Sequence, residues 1–233
     1  VLCYIAYVGI YAARLNLNMA SPVMIESGIL TEVQYGFIGS VFFVTYACGR
    51  LLNGVIGDRT APWVMITVGL LLTGVSNLLL GILPPYAVIL LLWCVNAYAQ
   101  SMLWSSLLRT MTGLYGKETA DKKVPILVSS VSVGNIVGIV LCTWLVEKVS
   151  LRAAFIVPGT LTVLLGLATA FVLRTVPESP KPEKQRFAIA EFFRDRKIRG
   201  MLLPALFHGV IKDNIGGWMA LYFVCRYQID LES

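Results

Sequence analysis

The sequence predicts an all-α integral membrane protein, and three observations lead to this fold class. Hydrophobic residues make up 57% of the 233 residues and charged residues only 14%, whereas soluble domains carry about 25% charged residues. The mean hydropathy of +0.76 points in the same direction. The apolar residues also fall into runs of roughly 20, the length of helix that crosses the hydrocarbon core of a bilayer.

Seven segments are long and apolar enough to cross the bilayer, and helix-start signals mark several of them. The sequence Thr31-Glu32-Val33-Gln34 has the capping-box pattern at the start of the second segment. Pro62 and Pro85 stand where the third and fourth begin, a position at which proline loses no hydrogen bond. The predicted crossings are residues 1–26, 32–57, 62–82, 85–112, 123–146, 153–174 and 200–225.

Lysines and arginines between the crossings predict the orientation, because cytoplasmic loops carry the excess of both. With the N-terminus in the cytoplasm, twelve basic residues face the cytoplasm and three face outside. We therefore expect a multi-pass protein of the plasma (inner) membrane with a cytoplasmic N-terminus. The net charge of +6 then reflects topology, and no nucleic-acid partner is expected. The cytoplasmic set is Arg59, Lys117, Lys122, Lys123, Arg174, Lys181, Lys184, Arg186, Arg194, Arg196, Lys197 and Arg199; the outside set is Lys148, Arg152 and Arg226.

Residues 175–199 form a long hydrophilic stretch. Pro177, Pro180 and Pro182 end the sixth crossing, and residues 187–197 then have the pattern of a short amphipathic helix. Its basic residues favour a linker that lies on the anionic inner leaflet. Docking of a protein partner is the alternative interpretation.

The first crossing carries a permanent charge, Arg14, near its centre. An unpaired charge at that depth costs about 2.5–3.5 kcal/mol on insertion scales. Since a helix has about 3.6 residues per turn, Tyr7, Tyr11, Arg14 and Asn18 share one face. Such a polar and aromatic stripe has to face a cavity or another polar surface rather than lipid.

Two further cations are predicted at membrane depth. Arg50 lies nine residues before Arg59, about 13 Å along the helix. Lys212 lies in the seventh crossing beside Asp213, the one acid predicted at that depth. Three cations against one acid predict a central cavity for an anion. The alternative is that Arg14 is a structural pin, paired with an acid from helices beyond this chain.

The sequence after the second crossing, Gly54-Val55-Ile56-Gly57-Asp58-Arg59, resembles the G-x-L-x-D-R signature of the major facilitator superfamily of transporters. Its glycines predict close approach of a neighbouring helix. Asp58 should need a cation or a helix N-terminus as its partner, and Arg109 is the candidate cation. The resemblance implies a gating role for Gly54, Asp58, Arg59 and Arg109.

The same resemblance implies a domain organisation. Residues 1–174 form the N-terminal six-helix bundle of the major facilitator fold, residues 175–199 the basic cytoplasmic linker, and residues 200–233 the first transmembrane helix of the C-terminal bundle. On this reading the chain is truncated, and five helices of a twelve-helix transporter lie outside it.

A narrower resemblance rests on the pattern Tyr7-x3-Tyr11-x2-Arg14-x-Asn16 and on residues 208–218. Both look like the organophosphate:phosphate antiporter family, which includes glycerol-3-phosphate and hexose-phosphate transporters. The resemblance implies that Arg14 and Lys212, one from each bundle, grip the substrate phosphate. It also implies further substrate-binding residues, namely Arg50, Tyr7, Tyr11, Trp104 and Asn135.

The chain departs from that family at two positions. Lys212 stands where the best-known members carry arginine, and Gly134 stands where members carry a pore histidine. His208, one helical turn before Lys212, is either a packed residue or a sensor of protonation. These departures leave the carbon skeleton of the substrate open.

The predicted function is secondary active transport of a small organic phosphate or related organic anion, in exchange for inorganic phosphate, by alternating access. Two alternatives are a transporter-like phosphate-ester sensor that signals through residues 181–199, and a proton- or sodium-coupled organic anion symporter. The sequence has no Walker loop, zinc ligand set or Ser/His/Asp arrangement, so we expect no enzyme, cofactor or metal site. The expected partners are the small anion and the lipid bilayer, and a monomer is expected.

Overall fold

The computed structural model describes residues 1–175 and seven single residues after them, Arg196, Gly200, Pro204, Phe207, Ile211, Tyr222 and Arg226. The chain divides into two compact units, Val1–Pro180 and Lys181–Leu231. Residues 1–175 form helices and connecting turns without a strand, which confirms the all-α fold class. The helices are α1 (Leu2–Glu26), α2 (Glu32–Arg59), α3 (Pro62–Leu80), α4 (Tyr86–Ser101), α5 (Leu103–Lys148) and α6 (Ala153–Leu173).

Five segments of the described chain are long and apolar enough to cross a membrane, and they coincide with the second to sixth predicted crossings. α1 is not among them, although its 25 residues extend for about 37 Å, because Arg14, Asn16 and Asn18 lower its hydropathy. The seventh predicted crossing and the amphipathic linker helix lie outside the described residues, and the domain boundaries stay predictions. The five segments are Glu32–Arg59, Pro62–Leu80, Tyr86–Gly116, Glu118–Lys148 and Ala153–Leu173.

The predicted helix starts are confirmed. Gln34 donates its backbone N–H to Thr31 Oγ1 at 3.2 Å, and Thr31 donates its own N–H to Gln34 Oε1 at 2.9 Å. This reciprocal capping box satisfies two amides that a helix N-terminus would otherwise leave unpaired. Pro62 is the first residue of α3, and Pro85 directly precedes α4.

The predicted fourth and fifth crossings are separate spans, but the connection between them is much shorter than the predicted interval between residues 112 and 123. α5 runs through it and is interrupted only at Gly116, where φ is 69° and ψ is 165°. Glycine adopts this conformation at little cost because it has no Cβ, so one residue separates the fourth span, Tyr86–Gly116, from the fifth, Glu118–Lys148. A turn at Met102 separates α4 from α5 within the fourth span.

Buried amide side chains join α1 to α3 and α4. Asn16 Nδ2 donates to Asn77 Oδ1 on α3 at 2.7 Å. Asn77 and Asn96 both donate to the carbonyl of Ala13, at 3.3 and 3.2 Å, and Gln100 donates to Asn96 Oδ1 at 3.0 Å. All four amide side chains are at most 3% exposed. We call Asn16, Asn77, Asn96 and Gln100 the amide network.

A proline in α6 explains how the amide network reaches a fourth helix. Pro158 has no N–H, so the carbonyl of Ala154, four residues earlier, lacks its helical partner. Asn16 Nδ2 donates to that carbonyl at 3.1 Å. Because a bilayer supplies no water to an orphaned carbonyl, this contact both satisfies α6 and fixes the rotation of α1.

α1 and the fifth span pack closely at two glycines. A Cβ atom on Gly138 would lie 3.1 Å from the backbone carbonyl carbon and oxygen of Tyr11. A Cβ atom on Gly134 would lie 2.9 Å from the Tyr11 ring. Small residues at this spacing let two helix backbones approach, and here they also fix the position of the Tyr11 side chain.

We expect Gly138→Ala to force α1 away from the fifth span, because the atoms it meets are backbone. Overpacking of this kind costs about 1–3 kcal/mol, which a lowered thermal midpoint of the full-length protein in detergent would record. Gly39→Ala is the matched control, since a Cβ on Gly39 meets no described atom within 4 Å. Equal midpoints for the two variants would contradict the packing described here.

Candidate anion-binding site

Arg14 lies half-buried between α1 and α2, among aromatic rings. Its guanidinium carbon Cζ is 4.7 Å from the ring centroid of Tyr46, 5.5 Å from that of Phe42 and 5.8 Å from that of Tyr11. A cation near the face of an aromatic ring is attracted by the ring quadrupole, with about 0.5–2 kcal/mol per contact. These contacts hold the guanidinium against three rings, of which those of Tyr11 and Phe42 are buried.

No carboxylate neutralises Arg14 within residues 1–175. Glu26, the acid on α1, is twelve residues away, about 18 Å along the helix. The structural-pin interpretation therefore finds no acid in the described part of the chain. The six carboxylates of residues 1–175 all lie within four residues of the end of a helix or span: Glu26, Glu32, Asp58, Glu118, Asp121 and Glu147.

The predicted aromatic stripe continues from Arg14 along α1. The rings of Tyr7 and Tyr11 meet edge to face with centroids 5.7 Å apart. Trp104, from the fourth span, packs on Tyr7 at 5.2 Å. The structure thus brings together four of the predicted substrate-binding residues, two tyrosines, a tryptophan and Arg14, in one continuous cluster.

Arg50 joins this cluster through Tyr46, a residue that the sequence analysis did not identify. Arg50 is exposed, and its Cζ lies 5.4 Å from the ring centroid of Tyr46, the same ring that Arg14 contacts. Phe42, Tyr46 and Arg50 are spaced four residues apart on α2, so they share one face. The four-residue spacing is the signal in the sequence that could have identified Phe42 and Tyr46. Their role becomes clear only in the structure, where Arg14 of α1 contacts both rings.

Asn135 and Lys212 complete the set of predicted substrate-binding residues. Asn135 follows Gly134, which packs against Tyr11. Its amide nitrogen donates one N–H to the carbonyl of Val131 on its own helix at 2.8 Å, which leaves the second N–H as a donor for a ligand. Lys212 lies outside the described residues, and so does Asp213.

The predicted gating residues lie at the C-terminal end of α2, and the structure corrects the role of its glycines. A Cβ on Gly54 would meet no described atom within 4 Å, so Gly54 is not a close-approach point in this part of the chain. Gly49 is one, because its Cβ would lie 2.4 Å from Ser101 Oγ. Asp58 and Arg59 are exposed.

Arg109 contacts the end of α2 through two backbone carbonyls, and its predicted pairing with Asp58 stays a prediction. Its Nη1 donates to the carbonyl of Gly57 and to that of Thr60, the latter at 3.5 Å. The last carbonyls of a helix lack helical partners and carry the negative end of the helix dipole. A guanidinium satisfies both requirements, which explains this geometry.

We expect Arg109→Leu to loosen the last turn of α2. Loss of a cation from a helix C-terminus costs about 0.3–2 kcal/mol, so backbone amides of residues 54–60 should exchange hydrogen for deuterium several-fold faster. Arg59→Leu serves as the matched control, because Arg59 is an exposed arginine at the same helix end. Unchanged exchange in Arg109→Leu would show that the contact does not stabilise the turn.

The fold and the site define a polytopic membrane protein that encloses a positively charged group. The chain belongs to the Major Facilitator Superfamily, because the model of that family matches residues 3–231. This confirms the superfamily predicted from the sequence.

Comparison with curated proteins also agrees with the narrower resemblance. The probable hexose phosphate transport protein of Chlamydia trachomatis is 27% identical over 186 residues, covering 78% of this chain and 41% of that protein. For the glycerol-3-phosphate transporter of Haemophilus influenzae the identity is 27% over 202 residues, covering 78% and 42%. The membrane sensor protein UhpC of Salmonella typhimurium is 26% identical over 176 residues, covering 76% and 40%. The chain therefore spans about two fifths of the length of these relatives.

A solved structure supports the fold independently. A bacterial homologue of the human lysosomal transporter Spinster, in an inward-facing and unoccupied conformation, superposes with a TM-score of 0.79. The alignment covers 99% of this chain and 56% of that structure, at 15% sequence identity. At this identity the match establishes the fold alone.

Proposed function

We propose that this chain is part of a secondary transporter that moves a small organic phosphate across the membrane in exchange for inorganic phosphate. The observation that carries the proposal is Arg14, a permanent cation held half-buried against aromatic rings, without a carboxylate partner in residues 1–175. A guanidinium held in this way has its N–H donors available to a phosphate. The names of the relatives, transporters of hexose phosphate and glycerol 3-phosphate, support a phosphate ester as the anion.

The residues of the cluster have different roles in binding the anion. Arg14 and Lys212 hold the phosphate from the N-terminal and C-terminal bundles. Arg50 raises the local positive potential. The remaining predicted substrate-binding residues shape the pocket and donate hydrogen bonds: Tyr7, Tyr11, Trp104 and Asn135.

Charge explains why such a carrier exchanges substrates rather than leaking them. When an anion lies between Arg14 and Lys212, both bundles are attracted to it, and rocking of the bundles about the site is favoured. Without the anion the two cations repel each other, so the empty carrier switches slowly. Gly54, Asp58, Arg59 and Arg109 form the cytoplasmic gate in this scheme.

Exchange in proteoliposomes tests this function. We expect the full-length protein to take up labelled inorganic phosphate only when the vesicles contain phosphate or a phosphate ester. Uptake driven by a pH or sodium gradient into empty vesicles would overturn the exchange model and select an ion-coupled symporter.

The sensor is the second candidate, because the relative UhpC is a membrane sensor protein. A sensor would bind phosphate esters without flux and would pass the signal through residues 181–199 to a partner. Binding without exchange in the proteoliposome experiment would select it.

The proposed orientation places the N-terminus in the cytoplasm of a monomeric, multi-pass protein of the inner membrane. In a background without native cysteines, Ser179→Cys should react only with a membrane-permeant thiol reagent, because the linker is inside. Ser150→Cys, in the predicted outside connection between the fifth and sixth crossings, should react with an impermeant reagent. The reverse labelling pattern would invert the orientation.

A further inference from the structure

Two rings of α2 form a stacked surface beneath Arg14, and we call Phe42 and Tyr46 the aromatic plate. Their planes are nearly parallel, with centroids 6.2 Å apart and an interplanar angle of 7°. Phe42 is 5% exposed and packs against Trp93 of α4 at 5.6 Å. The plate is therefore anchored on its buried side by the fourth span.

Arg14 and Arg50, the two cations of the N-terminal bundle that are predicted at membrane depth, meet at the plate. Arg14 contacts both of its rings, and Arg50 contacts Tyr46, with Cζ-to-centroid distances of 4.7 Å for Arg14 and 5.4 Å for Arg50. The two guanidinium carbons are thus no more than about 10 Å apart, the sum of these distances. Two like charges this close repel each other in a bilayer, so attraction to the shared ring opposes their separation.

An aromatic ring and a carboxylate attract a cation in different ways. The ring face attracts the guanidinium through its quadrupole but has no net charge, so the positive charge stays unneutralised. The N–H donors of a guanidinium lie in its plane and stay free to bind oxygen atoms of an anion. Within the described residues, the Tyr46 hydroxyl has no hydrogen-bond partner, which points to the ring as the working part of this side chain.

We propose that Tyr46 is a positioning residue of the anion site, whose ring holds Arg14 and Arg50 together so that one anion meets two positive charges. This inference rests on the proposed function, because it takes Arg14 to bind phosphate. It explains why α2 carries Phe42, Tyr46 and Arg50 on one face. It also favours a divalent anion, such as a phosphate monoester, over a monovalent carboxylate, since the second charge of the anion meets Arg50.

Calorimetric titration of the purified full-length protein with inorganic phosphate tests the proposal. Tyr46→Phe keeps the ring and should bind with an affinity within about twofold of wild type. Tyr46→Leu removes the ring and should weaken binding roughly tenfold, because it removes contacts to two cations. Phe37→Leu, at an exposed position on the same helix, is the control and should leave the affinity unchanged. Tyr46→Met, which has a similar length without a ring, replaces Tyr46→Leu if that variant does not fold.

A double-mutant cycle separates positioning from simple loss of packing. Arg50→Gln should weaken phosphate binding less in the Tyr46→Leu background than in wild type, because Arg50 is then no longer aligned. Equal effects in both backgrounds, or an affinity of Tyr46→Phe as low as that of Tyr46→Leu, would overturn the role of the ring. Wild-type protein that binds no phosphate would instead overturn the proposed function, so the two failures are distinguishable.

Discussion

Arg14→Lys should reduce phosphate exchange by the full-length protein roughly 10- to 150-fold while the protein still inserts and folds. Lysine keeps the positive charge but loses the planar fork that binds two phosphate oxygens and stacks on Phe42 and Tyr46. A hydrogen bond to a charged group is worth about 1.5–3 kcal/mol, which corresponds to that range of affinity. Initial rates of exchange in proteoliposomes, normalised to protein content, measure the effect.

Arg174→Lys provides the matched control for this experiment. Arg174 also lies over an aromatic ring, with Cζ 4.9 Å from the centroid of Phe171, but it is exposed and follows α6 directly. Its replacement should leave exchange unchanged. If Arg14→Lys exchanged phosphate at the wild-type rate, the guanidinium of Arg14 would not be the phosphate ligand.

Asn16→Leu should produce a large loss of stability in the described bundle. The substitution removes the donor to Asn77 and the donor to the Ala154 carbonyl, and it does so at a position that is fully buried. Polar contacts between membrane helices are worth about 0.6–1.7 kcal/mol each, so losing two costs about 1–3 kcal/mol. A lowered thermal midpoint of the ligand-free protein in detergent measures this cost.

Asn135→Leu is the control for the amide network, because the Asn135 amide donates to a carbonyl of its own helix. It should change the midpoint far less than Asn16→Leu. The double variant Asn16→Leu/Asn77→Leu should lose less than the sum of the single variants, since both break the same hydrogen bond. Additive losses would show that the two amides act independently.

The helices could be predicted from the sequence because their signals are local. The capping box at Thr31 and the prolines that begin α3 and α4 depend on a few neighbouring residues. The break between the fourth and fifth spans was predicted but its length was not, because polar residues 117–122 look like a loop although they lie in a helix. Only the backbone conformation of a single glycine separates the two spans there.

The site could be predicted only in part, for a different physical reason. The face shared by Tyr7, Tyr11 and Arg14 follows from helical periodicity, which the sequence contains. The contacts of Arg14 with Phe42 and Tyr46 depend on how α1 and α2 are rotated against each other, which no local pattern specifies. The amide network was missed for the same reason, since its asparagines come from three helices.

The contacts of Arg109 show the same limitation. Pairing with Asp58 is expected from charge and stays a prediction, whereas the contacts of Arg109 with the carbonyls of Gly57 and Thr60 were not predicted. A cation can interact favourably either with the C-terminus of a helix or with a carboxylate. The sequence does not show which of these two partners the cation contacts.

Polar groups inside the bundle therefore have two different kinds of surroundings. The amides of Asn16, Asn77 and Asn96 are buried and bonded to protein groups, as the bilayer requires of polar groups. Arg14 instead lies half-buried against rings that leave its charge intact. The first arrangement holds the bundle together, and the second leaves a cation for a ligand.

Direct binding of inorganic phosphate to the full-length protein tests this account of Arg14 most closely. Calorimetric titration of wild type should give saturable binding of phosphate and none of neutral glycerol, and Arg14→Gln, which removes the charge, should bind phosphate at least tenfold more weakly. Binding of phosphate by Arg14→Gln with wild-type affinity would contradict the claim that this half-buried guanidinium binds the anion.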